Sequence, residues 1–118
     1  MKIRKEIAAA AFLLLMPGLA FGVGAIAVDD EVGDESPGYG FAIGKHSRGN
    51  AERAALEQCR EAGNRHCKVA VWFNGCGAYA SSKKRYGVGW GKTSRVAEGN
   101  ALEKCGHRSC EIHVSKCD

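Results

Sequence analysis

The stretch GYGFAIGKHSRGNAERAALEQC, residues 38–59, returns in altered form as RYGVGWGKTSRVAEGNALEKC, residues 85–105. In the first copy Tyr39, Phe41 and Ile43 alternate with Gly40, Ala42 and Gly44. In the second, Tyr86, Val88 and Trp90 alternate with Gly87, Gly89 and Gly91. Alternation with period two is the pattern of a strand. Glycine weakens a strand unless something else must come close to it. A strand face made only of Gly and Ala therefore predicts that the helix of the same repeat packs there.

That helix follows at once in both copies, over residues 50–62 and 94–105. Ala51, Ala55, Leu56 and Cys59 form one apolar stripe, matched by Ala97, Ala101, Leu102 and Cys105. Ser94 suits the N-cap of the second helix, and Asn50 or Ser47 that of the first. Gly63-Asn64 and Gly106 read as C-terminal stops.

Working outward, each copy is preceded by a short β-type run, GAIAV at 24–28 and GAYAS at 77–81. Each is followed by another, CKVAVWF at 67–73 and CEIHVS at 110–115, and then by a further cysteine, Cys76 or Cys117. The chain thus reads ββαβ twice, with repeat 1 at about 24–76 and repeat 2 at about 77–118. Two copies are too few for an open solenoid. The prediction is one α+β domain of tandem ββαβ repeats, with a mostly antiparallel sheet and two helices on one face.

Residues 1–22 stand apart. Lys2, Arg4 and Lys5 precede an apolar run at 7–16, which Pro17-Gly18 breaks before small residues. This is the pattern of a secretory signal peptide, and the run is too short to span a membrane. The expectation is a periplasmic or secreted domain at 23–118 with no membrane span after cleavage. Six cysteines in such a chain mean disulfides. Seven of the fifteen possible pairings respect the repeat, and locality selects among them. Cys59 ends a helix and Cys67 opens the next strand, and Cys105 and Cys110 are placed alike. The predicted bridges are Cys59–Cys67, Cys105–Cys110 and Cys76–Cys117, the last joining the halves.

Charge narrows the function. Residues 23–118 carry 14 Lys/Arg against 12 Asp/Glu, a net of +2, which is too weak to argue for nucleic acid. Asp29, Asp30, Glu31, Asp34 and Glu35 cluster in one loop that lacks the pattern of a calcium loop and reads as a solvated charged loop. Gly87 to Thr93 has three residues where a phosphate-binding loop needs four. Cys105, His107, Cys110, His113 and Cys117 lack the paired C-x2-C spacing of a structural zinc site. His46, His66, His107 and His113 are the candidates for acid–base work, and none is spaced with Ser or Asp as a catalytic set. His113, between Ile112 and Val114, is expected on the surface. No catalytic residue, metal or cofactor is expected.

One functional candidate remains. Lys45-x-Ser47-Arg48 and Lys92-x-Ser94-Arg95 are the same cationic turn twice, each at a helix N-terminus, a pairing suited to an anionic partner. Trp72, Phe73, Tyr79 and Trp90 are expected to supply core bulk, and a partly exposed Trp would instead mark an interface anchor.

The doubled pattern of G-A-I-A, Y-G-x-x-x-G-K, A-x3-A-L-x2-C, C-x-V/I and a third cysteine resembles the bacterial secreted domain-of-unknown-function family 4189, over residues 24–118. The resemblance implies export and disulfides and carries over no catalytic residue. One departure is Gly49, an extra residue in the first turn relative to Arg95-Val96. The reading from sequence is a non-enzymatic exported module that binds another protein, as an envelope inhibitor or immunity-type protein would. The alternatives are an exported cell-wall-acting hydrolase or toxin, and a module binding anionic envelope polymer.

Overall fold

The computed structural model describes residues 22–118; the signal-peptide expectation lies outside them, except at Gly22. The element order is β1 (Val23–Asp29), β2 (Gly38–Lys45), α1 (Arg48–Glu61), β3 (Lys68–Phe73), β4 (Cys76–Ser82), β5 (Arg85–Gly91), α2 (Ser94–Cys105) and β6 (Glu111–Cys117). This is ββαβ twice. The strands form two antiparallel three-stranded sheets, ordered β2-β1-β3 and β5-β4-β6, so the first strand of each repeat is central.

Each helix lies on one face of its own sheet, against the small residues. Ala25, Ala27 and Ala42 pack on Ala51, Ala55 and Cys59, and Ala78 and Ala80 on Ala97, Ala101 and Cys105. A methyl on Gly40 would collide with the backbone of Ala55 and Cys59, and one on Gly87 with that of Ala101 and Cys105. The glycine face is therefore a helix seat, as its alternation implied.

The large residues face the other way and meet in the middle. Ile26, Val28, Phe41 and Phe73 of the first sheet join Tyr79 and Val88 of the second in one core. In place of a single sheet with both helices on one side, the molecule stacks helix, sheet, sheet and helix. A strand that is small on one face and bulky on the other has two faces to bury. The helix takes the first and the sister sheet the second. Phe73 seats its ring over both Gly24 and Gly77, which locks the sheets at one end. β1 lies on β4 and β3 on β5. β2 and β6 share the remaining side.

The sulfurs are bonded as Cys59–Cys67, Cys105–Cys110 and Cys76–Cys117. The first two tie each helix end to the strand that follows. Cys76 and Cys117 are register partners in β4 and β6, so this third bond pins the first and last strands of the second half rather than joining the halves. The halves are held by the central core and by the acidic loop.

Candidate functional site

Ser47 caps α1, its hydroxyl accepting the Asn50 amide at 3.1 Å. The cap of α2 is Thr93, accepting the Val96 amide at 3.2 Å, and Ser94 is the first helical residue. The structural equivalent of Ser47 is thus Thr93 and that of Arg48 is Ser94. The extra residue of the first copy is Gly44, not Gly49. It sits at φ 70° in a bulge where the β1–β2 register shifts between Val23 and Ala25. The two cationic turns are one residue out of step. They also lead into helices on opposite outer faces, so Lys45, Ser47 and Arg48 do not meet Lys92, Ser94 and Arg95 in one patch. Arg48 is already occupied. Its Nε donates to Glu52 at 2.8 Å, and its guanidinium lies 5.2 Å from the Trp72 ring centre.

A groove of about 770 Å³ runs along β2. Tyr39, Phe41, Ile43 and Lys45 form one wall, His113, Val114 and Lys116 of β6 the opposite one, and Gln58 of α1 and its C-cap Ala62 the rim. Beneath its lining the packing is aromatic. Tyr39 stacks on Tyr79 with centres 4.4 Å apart. Tyr79 is fully buried and donates its hydroxyl to the Pro37 carbonyl at 2.7 Å. Burial, with Tyr39 and Tyr86 beside it, outweighs a hydrogen bond with Ser81 and pushes the Tyr79 phenol up to about 12.

His113 was expected to face away from this core. It is exposed on the surface, as expected, but on the groove side of the strand, because β6 bulges between the partners of Tyr79 and Ala80. The bulge inserts one residue and breaks the alternation. His113 and Val114 both turn to the groove side, His113 remaining exposed, and the imidazole lies 6.0 Å from Tyr79 and 6.5 Å from Tyr39. Strict period-two counting cannot find such a residue.

The remaining histidines form no reacting set. His46 and His66 are exposed. His107 Nδ1 accepts the Ser109 amide at 3.0 Å and lies 2.7 Å from the Ser109 hydroxyl, a local turn beside Lys83 and Arg85 in a small pocket. Among the described residues, no three His, Cys, Asp or Glu side chains are placed to share a metal ion. None of their helices is long and apolar enough to cross a membrane.

The acidic loop is a clasp rather than a freely solvated loop. Asp29 is 2% exposed and accepts the amides of Glu31, Arg65 and His66 at 2.9, 3.1 and 3.0 Å. Burial alone would raise its pKa. The three amides, with the nearby His66, outweigh burial and hold it below the usual carboxylate value. Asp30 pairs with Lys68 of β3 at 3.5 Å, and Asp34 with Lys84 of the β4–β5 hairpin at 3.0 Å. The loop therefore ties itself to both halves.

Two tryptophans expected in the core are open to solvent, Trp72 at 40% and Trp90 at 45%. Trp72 adjoins Phe73, and Trp90 pairs with Gly77, on which Phe73 also rests. Both lie on the β3–β5 side of the sandwich at the same end. Each carries a cation, Arg48 over Trp72 and Lys104 over Trp90 at 4.4 Å.

Among curated proteins, the chain is 38% identical over 65 residues to the uncharacterized protein Rv1813c of Mycobacterium tuberculosis. It matches uncharacterized protein Mb1843c of Mycobacterium bovis equally. The match takes in 55% of this chain and 43% of each relative, so it spans less than half their length. The solved NMR structure of Rv1813c is similar, with a TM-score of 0.64 and 27% identity over 99% of both chains. With a match over residues 23–117 to the family described as Domain of unknown function (DUF4189), the chain belongs to that family.

Proposed function

We propose that this chain is an exported, non-enzymatic module that binds another protein through its tryptophan side. The observation that carries the reading is the pair Trp72 and Trp90, both half-open at one end of a small cross-linked domain. Tryptophan and arginine, here Trp72, Trp90 and Arg48, are among the residue types that dominate protein interfaces. Both rings lie on a scaffold with three disulfides. A rigid scaffold loses little freedom on binding. Those bonds also support folding in an oxidising compartment, periplasmic or extracellular. An inhibitor or immunity-type role is the form of this reading that best suits a rigid partner-binding domain. The occupied Arg48 and the separated turns count against the anionic-polymer alternative, and the dispersed histidines against the hydrolase.

The test is capture from the producing cell's envelope fraction with the folded chain as bait. The wild type is expected to retain a protein that the Trp72→Ala and Trp90→Ala variants each lose. Retention unchanged in both variants would overturn the reading. Retention abolished by moderate salt in the wild type would point instead to anionic polymer.

A further inference from the structure

The two halves end their sheets differently at equivalent edges. The free edge of β5 is guarded: Asn100 of α2 donates its side-chain amide to the Trp90 carbonyl at 3.0 Å, and Lys104 lies over the Trp90 ring. The equivalents in the first half, aligned through Ala51–Ala97 and Ala55–Ala101, are Ala54, Gln58 and Ile43. Neither Ala54 nor Ile43 has a polar group to offer the strand, and β2 instead borders the open groove. Between Gly38 and Ile43 the edge has no charge and no proline, the devices that keep sheet edges from pairing.

From this we infer that β2 pairs antiparallel with β2 of a second copy of this chain, about a two-fold axis near Phe41. Part of the edge's charge complements itself. One end of β2 follows the loop bearing Glu35, beside the Asp34 that already pairs with Lys84, and the other ends in Lys45, with Lys116 beside it and the Asp118 carboxylate accepting the Gly44 amide. Antiparallel pairing sets Lys45 and Lys116 of each copy toward Glu35 of the other. It also places Phe41 opposite its own copy and Tyr39 opposite Ile43, apolar cross-strand pairs of the kind that stabilise a sheet.

The helices fit the same operation. α1 crosses its sheet obliquely, with its first residue Arg48 reaching Trp72 of β3 while Gln58 and Ala62 reach the β2 edge. The overhanging half of each helix therefore meets the half of the edge that the other leaves open. The two first sheets become one six-stranded sheet. The Trp72–Trp90 side stays free on each copy, so this inference stands apart from the function proposed above.

The test grafts the guard of β5 onto β2. Sedimentation of the oxidised chain from micromolar to millimolar concentration should show a dimer. The triple variant Ile43→Trp/Ala54→Asn/Gln58→Lys should weaken it by at least about tenfold. Dispersed amide spectra would show that the variant still folds. Amide exchange at Tyr39 and Phe41 should slow as concentration rises. A wild type still monomeric at millimolar concentration overturns the inference. So does a dimer that the graft leaves intact, or one whose Tyr39 and Phe41 amides exchange freely. Protection of those amides by another protein, in a chain that stays monomeric alone, would assign the edge to that partner and equally overturn it.

Discussion

Gly40→Ala tests the seat on which the fold is built. The new methyl would overlap the Ala55 carbonyl oxygen and Cys59 amide nitrogen and lie 2.9 Å from the Cys59 Cα. Carbon atoms rest about 3.5–4.0 Å apart, so α1 would have to retreat by about 1 Å. Every atom it meets is helix backbone, and Cys59 is tied to Cys67, so no side chain can swing aside. Overpacking of this kind costs roughly 1–3 kcal/mol, and a backbone clash belongs at the upper end. Against it stands a gain of about 0.5–1 kcal/mol from replacing glycine in a strand. The clash wins, for a net loss of about 2 kcal/mol. Gly87→Ala should lose as much, because its methyl meets Ala101 and Cys105 in the same way. Gly99 in α2 has nothing within 4 Å, so Gly99→Ala should stabilise by about 0.5–1 kcal/mol. Urea unfolding of the oxidised proteins, followed by tryptophan fluorescence, measures all three. If Gly40→Ala and Gly87→Ala unfold within about 0.5 kcal/mol of wild type, a span that surface substitutions occupy, the helices do not rest on these strands and the reasoning fails.

Two further outcomes follow from the clasp and the bridges. The native pKa of Asp29 is lowered, so its stabilisation is complete above the unfolded value of about 3.9 and is lost as pH falls through the native value. Asp29→Asn should flatten that acid limb and cost about 1–3 kcal/mol near neutral pH through poorly satisfied amides; an unchanged acid limb would refute this role. In the chain-entropy account the Cys76–Cys117 bond, with a sequence separation of 41, contributes about 4 kcal/mol. Cys105–Cys110, with a separation of 5, contributes about 2 kcal/mol. Paired Cys→Ser variants compared by thermal unfolding should keep that order, and a reversed order would show that the native geometry outweighs the loop entropy.

What was legible in the chain follows from local periodicity. The tandem ββαβ order, the two helices and the use of Gly40 and Gly87 as helix seats all depend on alternation along one segment and its repetition 46 or 47 residues later. Alternation is set by backbone geometry, so it survives without knowledge of the partner. It failed where the backbone departs from its period. The bulge in β6 turned the exposed His113 to the groove side, and the bulge at Gly44 moved the extra residue upstream and made Thr93, not Ser94, the second cap.

Tertiary structure alone decided what each bulky face meets. Tyr39, Phe41 and Val88 had to be buried, but an alternating pattern does not say whether a second helix or a second sheet covers them. Phe73, seated over both Gly24 and Gly77, settled it as sheet on sheet. The same packing left Trp72 and Trp90 at the rim, brought Asp29–Asp34 against both halves, and exposed the β2 edge while Asn100 covered that of β5. By itself the sequence determined the two units, because each is built from contacts within one stretch of chain. Only the fold determined how they face one another, because those contacts join residues far apart along it.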